Sequence, residues 1–257
     1  MKIGIVQLPM GWTIEDNLAH ICRTVSNHYH AVDTFLFPEL SLSGFHRQIR
    51  SQADPVARER ALDQLAQLAY AYRVNLCLGL PFQSGDQVFN RYLCIDRQGH
   101  IAAQWDKIGL TDSEKSYFTA GELSFDAADP AHGSRPIMTL NGINMSTILC
   151  REAEDVDCVI HSLQHQHVEV LLWPSYIMQV NEGAQYKGFY ANAATIAEAL
   201  QCYVIQCNWP YALNDPAIRG MGRSVIIGPR GERLGQLPAD KASVGIFDLQ
   251  NGRLSLH

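Results

Sequence analysis

Short apolar runs alternate with longer amphipathic ones along this chain. Runs at 3–8, 34–37, 75–79, 92–96, 101–105, 145–149, 168–173, 203–207, 224–227 and 244–247 are rich in Val, Ile, Leu and aromatic residues. Turn residues bound each of them, which predicts strands. Several are apolar at nearly every position, the pattern of a strand buried on both faces. Between them, segments 14–30, 56–72, 153–167 and 184–200 predict helices. The first places Ile14, Leu18, Ile21 and Val25 at spacings of three or four, and the second does the same with Leu62, Leu65, Leu68 and Ala69. Asp54-Pro55 suits the start of the second helix, because proline is tolerated in a first turn. Segment 91–105 reads as a hairpin turned at Arg97-Gln98-Gly99. Strands mixed with helices in this way imply sheet covered by helices. No linker rich in Pro, Gly or Ser, no repeat and no low-complexity tract divides the chain, so residues 1–257 read as one domain.

Three ionisable residues stand at the ends of apolar runs. Glu39 closes Thr34-Phe35-Leu36-Phe37-Pro38-Glu39, and Lys107 follows the 101–105 run. Cys150 ends the run that begins at Asn144 and is followed at once by Arg151-Glu152. A strand ending on a thiol can aim that thiol into a cleft. Thiol, carboxylate and ammonium together supply a nucleophile, a proton acceptor and an oxyanion stabiliser. A free thiol is mostly protonated near neutral pH. Lys107, and a helix starting after Cys150, are therefore expected to favour the thiolate, with Glu39 taking the proton and later activating water. Singly, each residue has a plainer reading: Cys150 as a small buried hydrophobe, Glu39 as a helix cap, Lys107 as a solvated loop charge.

Composition narrows the field. Apolar residues make up 47% of the chain, enough for a substantial core. The net charge of −6 argues against a nucleic-acid partner. The seven cysteines are scattered, odd in number and without a C-x-x-C pair, which reads as reduced thiols in a cytoplasmic protein. The N-terminus enters a strand directly and reads as no signal peptide. No apolar stretch is long enough to span a bilayer, so no membrane partner is expected. His161 and His165 share a face of the expected helix at a spacing that can hold zinc, but no third ligand follows at a recognised spacing. No metal and no other cofactor is expected. Gly228-Pro229-Arg230-Gly231 lacks the Lys-Ser/Thr of a phosphate loop and reads as a hairpin turn. Tyr186, Phe189 and Tyr190 either line a substrate mouth or form the buried stripe of their helix.

Taken in order, these segments resemble the carbon–nitrogen hydrolase (nitrilase) superfamily over almost the whole chain. Ile3-Gly4-Ile5-Val6-Gln7 is similar to its first strand, and Phe37-Pro38-Glu39-Leu40 with Gly44-Phe45 to its glutamate motif. Asn90-Arg91-Tyr92, Asp96 to Gly99 and Lys107-Ile108-Gly109-Leu110 resemble its hairpin and lysine motif. The stretch Glu114 to Gly121 resembles the segment carrying a second glutamate, and Ile148-Leu149-Cys150 the nucleophile strand. The segments 170–175, 203–208 and 222–231 resemble later strands.

The resemblance implies a four-layer αββα sandwich of two mixed sheets flanked by helices, a homodimer paired through helices, and a catalytic Glu39, Lys107 and Cys150. It places Glu114 beside the lysine and adds Trp173 and Ser175 as substrate-binding or supporting residues. The implied activity is thiol-dependent hydrolysis of a small carboxamide through a thioester on Cys150, releasing ammonia. Nitrilase and N-carbamoyl-amino-acid hydrolase chemistry use the same three residues. A catalytically silent scaffold on the same fold is the alternative of another class.

Departures from the family pattern bear on substrate. Gly109 stands where the lysine motif usually has His. Cys150-Arg151-Glu152 lacks the Cys-Trp-Glu typical of nitrilases and the Cys-Asn-Asp-Arg common in carbamoylases, which ranks amidase first. The later Arg-Ala-x-Glu-Asn is reduced to Ile196-Ala197-Glu198-Ala199-Leu200. Arg151 either binds a substrate carboxylate in a two-pronged pair or forms a structural ion pair with Glu152, Glu154 or Asp155.

Overall fold

Runs that are apolar at nearly every position become the central strands of two facing sheets. The computed structural model describes residues 1–126, 129–178 and 184–257, and side chains outside 124–132 and 179–187. Its elements run β1 (Lys2–Gln7), α1 (Ile14–His28), β2 (Thr34–Leu36), α2 (Pro55–Tyr72), β3 (Asn75–Ser84), β4 (Gln87–Ile95), β5 (Ile101–Asp106), β6 (Ser124–Asp126), β7 (Asp129–Ser134) and β8 (Met138–Leu140). They continue with β9 (Ile143–Thr147), α3 (Val156–Leu163), β10 (Val170–Ser175), α4 (Ala184–Leu200), β11 (Tyr203–Asn208), β12 (Val225–Ile227), β13 (Arg233–Gln236), β14 (Ser243–Asp248) and β15 (Arg253–Leu256).

One sheet has the order β15-β14-β1-β2-β3-β4-β5 and the other β13-β12-β11-β10-β9-β8. Both are mixed: β1 and β3 flank β2 in parallel, and β9 and β11 flank β10 in parallel, while the outer pairs are antiparallel. Ile3, Ile5, Leu36 and Tyr92 of the first sheet meet Met145, Val170, Leu172 and Ile205 of the second in one buried layer. Helices α1 and α2 cover the outer face of the first sheet through Ile14, Ile21, Val25 and Leu65. Helices α3 and α4 cover the second through Val159, Leu163, Ala193 and Ile196. The result is the expected four-layer αββα sandwich, and burial of each large aliphatic side chain contributes about 1.5–3 kcal/mol to it.

Local chemistry explains the helix ends. Thr13 caps α1 by accepting from the Asp16 N–H at 3.1 Å. Asp54 caps α2 by accepting from the Val56 N–H at 3.0 Å, with Pro55 in the first turn as expected. Two expectations are corrected here. The helix expected at 153–167 is a five-residue 3-10 turn, Cys150–Glu154, followed by the short α3. Asp155 (φ −89°, ψ 52°) separates the two, because the Glu152 carboxylate is turned inward to hold other backbone groups. Since α3 ends at Leu163, His165 lies beyond the helix and does not share its face with His161.

The strand expected to end on the thiol stops at Thr147, and Cys150 follows it in a left-handed backbone (φ 46°). The strands that escaped notice, β6–β8, β13 and β15, are short or lie at sheet edges; β13 and β15 are only four residues each, too few for a period to stand out. Among the described residues, no helix is long and apolar enough to cross a membrane.

Candidate active site

Glu39 and Cys150 each lie three residues beyond a parallel strand, β2 and β9, and Lys107 directly follows β5. Their loops meet at one end of the sandwich, where carboxyl ends of parallel strands open a crevice. The Glu39 loop is fixed by its backbone. Trp209 Nε1 donates to the Glu39 carbonyl at 2.8 Å, and the Tyr92 hydroxyl lies 2.8 Å from the Phe37 carbonyl. Gly79 lets the loop lie flat on β3, since a Cβ there would stand 2.4 Å from the Leu40 nitrogen.

The Glu39 side chain is fully buried. Its Oε1 accepts from Lys107 Nζ at 2.7 Å and from Asn90 Nδ2 at 2.8 Å. Its Oε2 is buried with no hydrogen-bond partner among the described residues. Asn90 also takes the Lys107 N–H on its own carbonyl at 2.9 Å, so one residue sets both the carboxylate and the lysine backbone. Lys107 Nζ makes a second ion pair, at 2.5 Å, with Glu114 Oε1. The other Glu114 oxygen accepts from the Thr111 N–H at 2.8 Å. Glu114 therefore faces the lysine, and the surface partner of Lys115 is Asp112.

Cys150 is buried, and its Sγ contacts the Tyr176 carbonyl at 3.5 Å. Trp173 Nε1 donates to the Cys150 carbonyl at 2.8 Å and holds the nucleophile turn in its left-handed conformation, a geometry that costs a non-glycine residue about 1–3 kcal/mol. Cys150 lines a cavity of about 440 Å³ together with Lys107 and Glu114. It also lines a more open cavity of about 1010 Å³ bordered by Gly109, Arg151 and Phe189.

The electrostatics correct one expectation. Burial pushes the Cys150 thiol up, the Glu39 charge raises it further, and the opposing pull of Lys107 does not offset them. Burial thus favours the protonated sulfur, and the short turn after it offers little dipole to oppose that. Burial also raises the Glu39 carboxyl above its ordinary range, with Lys107 pulling it down and Glu114 pushing it up. For Lys107, burial pulls down, but the charges of Glu39 and Glu114 outweigh it and keep the ammonium protonated. A buried cation thus sits between two carboxylates, one of which keeps an oxygen free of hydrogen bonds to the described residues.

The remaining expected residues take supporting places. The Arg151 guanidinium is clamped by Asp155, with both contacts at 3.0 Å, and approaches Glu154 at 3.5 Å. The clamp rests on Gly109, where a Cβ would stand 2.8 Å from Asp155 Oδ2 and 2.9 Å from Arg151 Nη1. Trp173 and Ser175 are buried behind the site and line neither cavity at the thiol. The Ser175 hydroxyl donates to the Trp173 carbonyl at 3.2 Å. Phe189 lines the larger cavity and also packs near Trp173, with ring centroids 6.4 Å apart. The side chain of Tyr186 lies outside the described residues.

Sequence reasoning missed the residue that joins the loops. Glu152 is buried, and its Oε1 accepts from the Ile108 N–H at 2.6 Å and the Gly109 N–H at 3.2 Å. Its Oε2 accepts from the Leu149 N–H and from Arg135 Nη1, both at 2.9 Å. One carboxylate thus ties the lysine loop to the nucleophile turn, with its charge neutralised by a buried guanidinium. An acid two residues after the thiol was visible in the sequence, but nothing local announced Arg135 as its partner.

Comparison with known proteins accords with this architecture. The carbon–nitrogen hydrolase family matches residues 2–256, and the chain belongs to that family of hydrolases acting on carbon–nitrogen bonds. It is 24% identical to the "hydrolase in agr operon" of Staphylococcus lugdunensis, over 80% of this chain and 82% of that protein. It is 25% identical to a probable nitrilase of Schizosaccharomyces pombe, over 54% of each. Among solved structures, a nitrilase-superfamily amidase from Nesterenkonia AN1 superposes with a TM-score of 0.81 at 20% identity, covering 97% of this chain and 90% of that one. In one form of that amidase the acetamide moiety of fluoroacetamide is covalently added at the active site cysteine, and in another butyramide is bound. A glutamine-dependent NAD+ synthetase from Acinetobacter baumannii superposes with a TM-score of 0.81 at 18% identity, covering 100% of this chain and 47% of that one.

Proposed function

We propose that this protein hydrolyses a small carboxamide through a thioester on Cys150, with Glu39 as general base and Lys107 as oxyanion stabiliser. The observation that carries this reading is the divided Glu39 carboxylate. Lys107 and Asn90 hold one oxygen, while the other is buried with no partner among the described residues. Leaving a buried charged oxygen unbonded costs stability, and a site that must accept a proton accounts for it. Burial favours the protonated sulfur, so its proton passes to Glu39 as the sulfur attacks the amide carbon. The carbonyl oxygen gains the negative charge next to the Lys107 ammonium, whose position is already set by two ion pairs. Collapse of the tetrahedral adduct breaks the carbon–nitrogen bond, and the proton on Glu39 leaves with ammonia. Water then attacks the thioester, gives its proton to Glu39 and releases the carboxylic acid and the thiol.

Amide hydrolysis is preferred over nitrile chemistry by the Cys150-Arg151-Glu152 sequence and by the amidase whose fold this chain shares. The test is ammonia release from a panel of amides, nitriles and carbamoyl amino acids, with Cys150→Ala as control and mass spectrometry of the trapped acyl adduct. Amide turnover lost in Cys150→Ala, with an acyl mass on Cys150, is expected. A panel in which nothing is turned over and no adduct forms rejects the reading in favour of a silent scaffold.

A further inference from the structure

Arg151 is not available to a substrate carboxylate, because Asp155 and Glu154 occupy its guanidinium. Arg47 is differently placed. It lines the cavity of about 440 Å³ that ends at Lys107, Glu114 and Cys150. Among the described residues it makes no ion pair, and its guanidinium leans over Trp12 at 6.0 Å. Asp215 lines the same cavity and makes no ion pair among the described residues either. Its Oδ1 is oriented by the Ala217 N–H at 3.1 Å.

These opposite charges come from two loops that are tied together. The Arg47 N–H donates to Asn214 Oδ1 at 3.0 Å, which holds Arg47 and Asp215 near one another at the exposed mouth. The side chains nevertheless do not close on each other. The wall leading inward is aromatic: Phe45 stacks on Tyr176 with centroids 4.4 Å apart and planes 4° from parallel. Tyr176 lines the cavity with both Asp215 and Cys150, and its carbonyl lies 3.5 Å from Cys150 Sγ, so this wall runs from the mouth to the thiol. Its hydroxyl is buried without a hydrogen-bond partner among the described residues.

Resting on the amidase reading and extending it, we propose that the substrate is an α-amino acid carrying a side-chain carboxamide. Its carboxylate pairs with Arg47, its ammonium with Asp215, and its methylenes lie along the Phe45–Tyr176 stack while the amide reaches Cys150. A guanidinium suits a carboxylate through two parallel hydrogen bonds. A cation and an anion left apart at one mouth discriminate a zwitterion from a neutral chain of equal length.

The experiment compares kcat/KM for asparagine and glutamine with that for propionamide and butyramide, using the full chain. The expected result is a preference for the amino-acid amides. Arg47→Gln and Asp215→Asn are each expected to lower the ratio of amino-acid amide to neutral amide about tenfold. Glutamine should also bind the Cys150→Ala chain in calorimetry, more weakly as salt is raised. Equal or better turnover of the neutral amides overturns the proposal and leaves the amidase reading standing, as do variants that lower both substrate classes alike. If no amide is turned over and glutamine does not bind, both readings fall.

Discussion

Replacing Glu152 by Gln tests whether one buried carboxylate holds the site together. The substitution keeps shape and removes charge. One amide oxygen can still accept from the Ile108 and Gly109 N–H groups. The amide NH₂ then faces the Leu149 N–H and the Arg135 guanidinium, both of which are donors. Arg135 is only 3% exposed, so its charge is left without compensation. Breaking a buried ion pair by removing one partner costs about 3–5 kcal/mol. Against a typical total of about 5–15 kcal/mol, that is a large fraction. For a chain of this size it corresponds to a fall in Tm of roughly 6–20 °C. Urea denaturation gives the free energy and calorimetry the Tm.

The double variant Glu152→Gln with Arg135→Met removes both charges, and should lose less than the sum of the single losses. Kinetics on the surviving protein complete the test. A merely structural loss leaves kcat of the folded fraction near its parent value, whereas displacement of the lysine loop relative to the thiol lowers kcat more than it changes KM. A single variant within about 1 kcal/mol of the parent, or a strictly additive double variant, refutes the reasoning.

Other outcomes follow from the same geometry. In Glu39→Gln, a charge that raises the Cys150 thiol is gone, so the pH midpoint of iodoacetamide labelling at Cys150 shifts down while turnover falls about 10²–10⁴-fold; a midpoint that stays or rises contradicts the electrostatics. Because Glu39 is held above the ordinary carboxylate range and must be ionised to act, kcat/KM should rise with pH through an apparent pKa above 4.5. An acid limb at or below that value argues against Glu39 as the base. Gly109→His pushes into the Arg151–Asp155 clamp and the Glu152 stem, and should destabilise the chain by about 1–3 kcal/mol, read by urea titration; a neutral effect shows that the clamp yields freely.

Much of the architecture was legible along the chain. The Ile14, Leu18, Ile21 and Val25 spacing and the Asp54-Pro55 cap announced α1 and α2, because helix period and capping are local properties. The apolar runs announced most central strands for the same reason. Glu39, Lys107 and Cys150 stood out because each follows an apolar run, and a chain leaving a buried strand must emerge at its end. The edge strands β13 and β15 did not stand out, since four residues are too few for a period to be read against neighbouring turns. Nor was the break between Glu154 and Val156 visible, because it depends on Glu152 turning inward toward Ile108, Gly109, Leu149 and Arg135.

What the sequence determined by itself, then, was the set of elements and the kinds of chemistry available at their ends. Tertiary structure alone decided which arginine is spent and which is open. Arg151 meets Asp155 four residues away, while among the described residues Arg47 makes no ion pair and leans over Trp12. It also decided that the Cys150 thiol is pushed up, since burial depends on everything packed around a group. Periodicity is written in neighbours along the chain, whereas charge pairing and desolvation are set by neighbours in space.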